Sequence, residues 1–227
     1  MKPSRSFILD PTLRLYLPLW KLDGASFASR DAYGHLCTPV GAFWTPQGYD
    51  FDGVDDKITV THHASLDFGL ASFYEVIVFK LTKKDVQQAL GNKIQLSTTA
   101  GRMGLWVGSG NAFSFYIQSS STIYTTRAGL TLLDTGVWYH IIQHADRPNN
   151  TAHIYHNGRL DDGALAVEGG FSTTTNIANT EPVELGCGYN DTNDATFVCR
   201  EYCLYAGDIT PGRAALLYHD AKRRLKL

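Results

Sequence analysis

A polar segment near residue 190 combines residue types that can bind sugars. The segment contains Tyr189, Asn190, Asp191, Asn193 and Asp194. An aromatic face stacks on the apolar face of a sugar ring, and amide or carboxylate groups hydrogen-bond its hydroxyls. The same composition is typical of a solvated turn, because Asn and Asp side chains bond their own backbone. The residue types alone leave both interpretations open.

Histidine spacing would support a metal site only in a helix. His140 and His144 are four residues apart and lie in a β-rich stretch. Four residues of a strand span about 13 Å, too far for one shared zinc ion. The other pairs show no cysteine or carboxylate at ligand spacing: His62-His63 and His153/His156. We therefore predict no metal site and interpret His140 as a half-buried strand residue.

The four cysteines are too few for a disulfide scaffold; they are Cys37, Cys187, Cys199 and Cys203. Cys199 and Cys203 lie on one predicted strand, too far apart for a bridge that needs Cα atoms within about 7 Å. Cys187 and Cys199 flank the polar segment and could face each other across a hairpin. The favoured interpretation is four reduced thiols that pack as small hydrophobic side chains.

Short β-rich runs separated by Gly- and Asn-rich turns must position these residues. The predicted strands are 58–61, 73–81, 104–107, 112–117, 138–143, 152–155, 183–185 and 196–205. Asn157-Gly158 predicts a tight hairpin because both residues tolerate positive φ. The polar segment predicts a second hairpin with a longer loop. Many short strands of this kind are typical of an antiparallel sandwich or barrel.

One helix is predicted near the C-terminus. Thr210 can cap its first turn, and Pro211 fits the first helical position. Its apolar stripe is predicted to consist of Ala214, Leu216 and Leu217. The basic run 222–224 falls in the last turns, where cations complement the helix dipole. We interpret this run as a solvated helix end.

Composition excludes several partner classes. The 227 residues include 20 Lys plus Arg and 22 Asp plus Glu, for a net charge of −2, so no basic excess is available to bind nucleic acid. The apolar run 73–81 is too short for membrane insertion. The first ten residues lack the apolar region of a secretory signal peptide. The localisation therefore stays open, and an extracellular or virion-associated location would have to be reached by a route other than that signal. We predict an N-terminal arm at 1–12 and a single domain at 13–227.

A series of short motifs runs along the chain in a fixed order: Leu15-Tyr16-Leu17-Pro18-Leu19, Asp31-Ala32-Tyr33-Gly34-His35, Tyr49-Asp50-Phe51-Asp52-Gly53-Val54-Asp55-Asp56, Gly136-Val137-Trp138-Tyr139-His140, Ile154-Tyr155-His156-Asn157-Gly158 and Val183-Glu184-Leu185-Gly186. This series resembles the laminin-G-like branch of the concanavalin A-like lectin/glucanase superfamily. The resemblance implies an all-β jelly-roll sandwich of two antiparallel sheets with a short C-terminal helix. In such a sandwich we expect these side chains to interleave between the sheets: Val76, Phe79, Phe115, Trp138 and Ile141.

The resemblance also bears on catalysis. Hydrolases of the superfamily carry Glu-x-Asp-x-x-Glu on one strand, so that alternate carboxylates face one groove. This sequence lacks that motif, and Glu75 is the one acid in its strand. The densest acidic run coincides with the family's turn motif and is interpreted as backbone-bonding turn residues: Asp50, Asp52, Asp55 and Asp56. We predict no catalytic residue and no enzyme activity.

Many members of the family hold a structural calcium ion between an early Asp loop and an Asp near the last strand. Asp31 and the backbone around Gly34 match the first half of that site. Arg200 occupies the second ligand position. We expect Arg200 to pair with Asp31 in place of the ion, so the predicted cofactor is none. A structural calcium ion is the alternative.

The resemblance places sugar sites on the concave sheet and on loops at one end. We predict binding residues on the sheet, namely Trp106, Asn111, Tyr116 and Tyr124, together with the polar segment of the loop. Core aromatics and solvated turns are the alternative interpretation of these residues. The predicted function is a non-enzymatic, lectin-like module that binds a glycan or polysaccharide. The alternative is a structural or adhesion protein of a phage or virus particle or other surface assembly, with other copies or proteins as partners.

Overall fold

The computed structural model describes residues 10–22, 24–84, 87–94, 101–120, 123–168, 176–188 and 194–227. The strands are β1 (Leu13–Leu17), β2 (Phe27–Ala28), β3 (Leu36–Val40), β4 (Phe43–Thr45), β5 (Gly48–Asp52), β6 (Lys57–Val60), β7 (Phe73–Leu81), β8 (Gln88–Ile94), β9 (Arg102–Val107), β10 (Ala112–Ser120), β11 (Ile123–Leu132), β12 (Trp138–Asp146), β13 (Thr151–His156), β14 (Arg159–Leu160), β15 (Asp162–Glu168), β16 (Val183–Leu185) and β17 (Thr196–Ala206). One helix, α1 (Pro211–Leu225), follows them.

The strands form two antiparallel sheets. Sheet A has the order β14-β13-β12-β7-β17-β5-β4, and β1 pairs with the second half of β17. Sheet B has the order β15-β11-β10-β9-β8-β16-β6-β3-β2. The predicted all-β sandwich of two antiparallel sheets with a C-terminal helix is confirmed. The Asn157-Gly158 hairpin is also confirmed, with both residues at positive φ between β13 and β14.

The core lies between the inner faces of the sheets. Strand alternation points Phe79 and Ile141 of sheet A toward Phe115 of sheet B. The expectation for Val76 and Trp138 is wrong. Each is one residue out of phase with the inward positions of its strand, so it lies on the outer face of sheet A.

Helix α1 covers that outer face. The Thr210 hydroxyl accepts a hydrogen bond from the Arg213 N–H, and Pro211 occupies the first turn, as predicted. Ala214 and Leu217 are buried against sheet A. Leu216 is 64% exposed, because it falls outside the i, i+3, i+4 stripe of the buried positions. Among the described residues, no helix is long and apolar enough to cross a membrane.

The last turn of α1 is tied to the sheet by an ion pair. Arg224 donates to both carboxylate oxygens of Glu201 on β17, at 2.6 and 2.9 Å. Glu201 is 2% exposed and also accepts a hydrogen bond from the Tyr16 hydroxyl at 3.3 Å. The prediction of a solvated helix end is therefore wrong for Arg224. A basic side chain in the last turn neutralises a carboxylate that the sequence places far away.

Arg200 does not pair with Asp31, so that prediction is also wrong. Its guanidinium donates to the carbonyls of Gln47 and Leu225 and lies 4.4 Å from the centre of the Trp138 ring. The Asp31 carboxylate instead accepts hydrogen bonds from three backbone N–H groups. One belongs to Tyr16 on β1, and the other two belong to Tyr33 and Gly34 in the loop that contains Asp31. A register shift in β17 between Cys199 and Glu201 accompanies this arrangement and directs Arg200 toward the end of α1.

The cysteines and His140 are all buried. The four cysteines are free thiols, so the favoured interpretation is confirmed and no bridge joins Cys187 to Cys199.

His140 is 1% exposed rather than half-buried, because β12 is a central strand of sheet A with α1 near its outer face. Burial lowers the pKa of His140 to about 3. The division of the chain at residues 12 and 13 stays a prediction.

A buried carboxylate also lies between the sheets. Glu75 is 1% exposed and accepts a hydrogen bond from the Tyr202 hydroxyl at 2.7 Å. Its second oxygen and both amide atoms of the neighbouring Gln143 have no hydrogen-bond partner among the described residues. Burial raises the pKa of Glu75 to about 8, against the opposing effect of the Tyr202 hydrogen bond.

Replacing Arg224 by alanine should destabilise the fold. Arg224→Ala leaves the Glu201 charge buried without its partner, so we expect the free energy of unfolding to fall by about 3 kcal/mol or more. Arg223→Ala is the matched control, because the Arg223 side chain is 68% exposed; its loss should be under about 1 kcal/mol. Urea unfolding measures both variants. Equal small losses would contradict the assignment of Arg224.

Stability should also depend on pH through Glu75. Its pKa rises on folding from the ordinary 4.5 to about 8, so the unfolded chain releases this proton first as pH rises. The free energy of unfolding should then fall between about pH 5 and pH 8, by at most about 5 kcal/mol. Glu75→Gln should flatten this dependence, whereas the exposed control Asp134→Asn should not. Parallel curves for wild type and Glu75→Gln would refute the effect.

Candidate functional site

The predicted sugar-binding residues separate into several places. Tyr189, Asn190, Asp191 and Asn193 lie outside the described residues. Asp194 accepts a hydrogen bond from the Gly188 N–H at 3.3 Å. Asn111 lies in the turn between β9 and β10 with φ 61°. Tyr124 lies on β11 opposite Gln118, and its side chain is outside the described part of the structure. Trp106 faces outward from sheet B.

A groove lies on the outer face of sheet B, across β9, β10 and β11. Its volume is about 450 Å³, and its lining side chains include Gln87, Arg102, Trp106, Ser114, Tyr116 and Thr126. This volume lies within the usual range for small-molecule sites, which also combine aromatic walls with a few polar groups. Two of the predicted residues, Trp106 and Tyr116, thus meet in one place.

Strand register explains why these side chains share a face. Trp106 pairs with Ser114, and Gly104 pairs with Tyr116, which in turn pairs with Thr126 of β11. The intervening residues point into the core: Met103, Leu105, Val107, Phe113, Phe115 and Ile117. Because successive side chains alternate between faces, the packed inner residues fix which residues face the groove.

Gly104 creates the space in which the Trp106 indole lies. A methyl group at Gly104 would be only 2.6 Å from the Trp106 Nε1 atom and 3.3 Å from its Cδ1. The five-membered ring of the indole therefore lies against the backbone of its own strand. This position turns the indole along the sheet surface, beside the cross-strand residue Tyr116.

Hydrogen bonding orders the polar end of the same face. The Tyr116 hydroxyl donates to the Gln118 Oε1 atom at 2.6 Å. Gln118 pairs directly with Arg102 across β10 and β9, and both side chains are partly exposed. Three residues of this face were not predicted from the sequence: Arg102, Gly104 and Gln118. The alternation of side chains along a strand could have indicated them. Each lies an even number of residues from Trp106 or Tyr116 on its own strand and therefore faces the same side of the sheet.

Two other clusters of chemically capable side chains have structural roles. Asp52, Asp55 and Asp56 place carboxylate oxygens within 4.8 Å of one another. Asp56 accepts from the Asp52 N–H at 2.7 Å, and Asp52 accepts from the Val54 N–H at 2.8 Å. These bonds confirm the predicted turn role of Asp52 and Asp56.

The second cluster contains histidines with carboxylate partners. His144 and His153 have ring centres 5.9 Å apart on neighbouring strands. His144 lies 3.1 Å from Asp208, and His153 lies 2.6 Å from Asp162 of β15. Sequence spacing did not reveal the carboxylate partner of His153, because Asp162 comes from the edge strand of sheet B. Asp162 also accepts from the Ile154 N–H, so this contact joins the edges of the two sheets.

Comparison with protein families identifies the fold. A laminin-G family model described as concanavalin A-like lectin/glucanases superfamily matches residues 52–211, more than half of the chain. The chain belongs to this superfamily. A search of curated protein sequences gives no match. The resemblance predicted from the ordered motifs is confirmed.

Solved structures share this superfamily fold at low identity. The binding domain of the paraclostridial mosquitocidal protein 1 has a TM-score of 0.69 at 12% identity, over 92% of this chain and 52% of that chain. The binding domain of botulinum neurotoxin DC, in complex with SialylT, has a TM-score of 0.70 at 12% identity, over 93% of this chain and 52% of that chain. Trypanosoma rangeli sialidase has a TM-score of 0.68 at 13% identity, over 94% of this chain and 33% of that chain. The chain thus spans about half of each toxin domain and one third of the sialidase.

Filling the space at Gly104 should move the indole. In Gly104→Ala the new methyl group overlaps Trp106, so we expect one of the four tryptophan indole N–H signals to shift strongly in a two-dimensional NMR spectrum. Gly110→Ala is the control, because no atom lies within 4 Å of its added methyl group; it should leave all four signals near their positions. An unchanged spectrum for Gly104→Ala would show that the indole lies elsewhere.

Proposed function

We propose that the protein is a carbohydrate-binding module without catalytic activity and that it binds a glycan in the groove of sheet B. The observation that carries this proposal is the Trp106 indole held against Gly104 beside Tyr116. An indole fixed in this way presents a preformed apolar face for a sugar ring. Little side-chain freedom is then lost on binding, which favours affinity.

Polar side chains complete the proposed site. Ser114 and Thr126 place hydroxyl groups along the groove, and Gln87 adds an amide. Each of these groups can both donate and accept hydrogen bonds, as sugar hydroxyls do. The groove thus combines an apolar face for one side of a pyranose with polar groups for its edge.

The absence of catalysis is part of the proposal. Retaining and inverting glycosidases commonly need two carboxyl groups that flank the scissile bond. Among the described lining residues of the groove, Arg102 is the one with a formal charge, and none carries a carboxylate. The described part of this site therefore supports binding and does not supply an acid–base pair.

The structural neighbours support the same class of ligand. Two of them are binding domains, one solved with SialylT, and the sialidase is also known in complex with sialic acid. At identities near 12% they show the fold alone, so the transfer of a glycan ligand to this chain belongs to the proposal. The alternative role in a phage or virus particle stays a prediction with no surface assigned to it.

Glycan binding should depend on Trp106. We expect the purified protein to bind at least one saccharide on a glycan array, and calorimetry to give an affinity at least about tenfold weaker for Trp106→Ala because the stacking face is lost. Phe43→Ala is the control, since Phe43 is 56% exposed on β4, at the edge of sheet A. Failure to bind any glycan at millimolar concentration would overturn the proposed function.

A further inference from the structure

We propose that a second pocket, located where β1 ends, binds the phosphate or sulfate group of an ester between Lys21 and Arg30. None of its lining residues belongs to the groove of sheet B, so this proposal does not depend on the proposed function. It rests on three observations: the lining of the pocket, the fixed positions of its two cations, and the pairing of the carboxylates in the neighbouring elements.

The pocket has a volume of about 420 Å³ and is lined by Tyr16, Pro18, Lys21 and Arg30. Tyr16 and Pro18 are buried and form its inner part, whereas Lys21 and Arg30 are exposed. Both charged side chains of this lining are cations, although the whole chain has a net charge of −2. The volume lies within the usual range for small-molecule sites, so the pocket can hold an oxyanion together with the group that carries it.

Two contacts hold Lys21 at the pocket. Its backbone N–H donates to the Pro18 carbonyl at 2.8 Å and closes a turn. Its Nζ atom lies 4.3 Å from the centre of the Trp20 ring, a distance at which the ring attracts the ammonium group. Trp20 in turn packs against Ala221 and Leu225 in the last turns of α1. The ammonium group is therefore positioned before any ligand arrives, which lowers the entropy lost on binding.

Arg30 is positioned by β1. Its backbone N–H donates to the Tyr16 carbonyl at 2.9 Å, so the backbone of Arg30 is fixed beside the residue that forms the inner part of the pocket. A guanidinium supplies a planar set of donors, and an ammonium group supplies a compact charge with three donors. Together they can contact different oxygens of one tetrahedral oxyanion through charge-assisted hydrogen bonds.

The carboxylates of the neighbouring elements already have partners. The Asp31 side chain is buried, and its carboxylate accepts hydrogen bonds from three backbone N–H groups. Glu201, which accepts from the Tyr16 hydroxyl, pairs with Arg224. Among the described residues, neither Lys21 nor Arg30 forms an ion pair with a carboxylate. An anion that enters the pocket therefore does not have to displace an acidic side chain from either cation.

Esters of one sugar test this proposal. Titrations followed by two-dimensional NMR would compare glucose 6-phosphate, glucose 6-sulfate, glucose and inorganic phosphate. We expect both esters to bind at least about tenfold more tightly than glucose, because only they carry an oxyanion, and this advantage should shrink as salt is raised. Lys21→Gln and Arg30→Gln should each weaken ester binding at least about fivefold. Arg159→Gln, at an exposed arginine on the edge strand β14, is the matched control and should leave the affinity unchanged.

Inorganic phosphate should compete with both esters, since the oxyanion is the group recognised. Equal affinity for glucose and its esters would overturn the proposal, as would ester binding that survives both Lys21→Gln and Arg30→Gln. Ester binding that is lost in Trp106→Ala but kept in Lys21→Gln would place the anion in the groove of sheet B and would also overturn it. Urea unfolding checks that each variant keeps its fold. None of these results decides whether the groove binds a neutral glycan, so the two proposals fail separately.

Discussion

The buried Glu201 carboxylate is the constraint on which the arrangement of layers depends. A charge on the covered face of sheet A is costly unless it is paired and hydrogen-bonded. Arg224 and the Tyr16 hydroxyl meet that requirement, and they come from opposite ends of the chain. Satisfying one carboxylate therefore fixes the end of α1 and the position of β1 on β17. Sheet A becomes a middle layer between the core and the helix, and the outer face of sheet B carries the groove.

The strands that could be predicted from the sequence are those whose local composition is typical of a β-strand. The runs 73–81 and 183–185 match β7 and β16 at both ends, because apolar and β-branched residues fill them. The sequence did not predict β8, whose Gln-Ala-Leu-Gly-Asn-Lys-Ile segment carries no strong strand propensity. Its strand conformation comes from pairing with β9 and β16. Such pairing joins residues that are far apart in the chain, so the local amino-acid composition does not indicate it.

The site was predictable to the extent that residue type reveals it. Trp106 and Tyr116 are aromatic and could be named as sugar-binding candidates, whereas Gly104 has no side chain and acts only through the indole above it. Arg200 shows the opposite error. Its expected pairing with Asp31 came from a family position, but the register shift beside Arg200 and the bonds to Gln47 and Leu225 depend on this chain's own packing.

The geometry of the groove follows from the core beneath it. Pairing between β10 and β11 is regular from Ser114 to Gln118, and register shifts occur just before and just after this segment. Within it, Phe115 and Ile117 are buried in the core, so a slip by one residue would bring Tyr116 and Gln118 inside. The cost of exposing those inner side chains keeps Tyr116, Gln118 and Ser114 on one face. The residues that would bind a ligand are thus positioned by neighbours that never touch it, which is why their parity relative to the core aromatics is the strongest sign of the site.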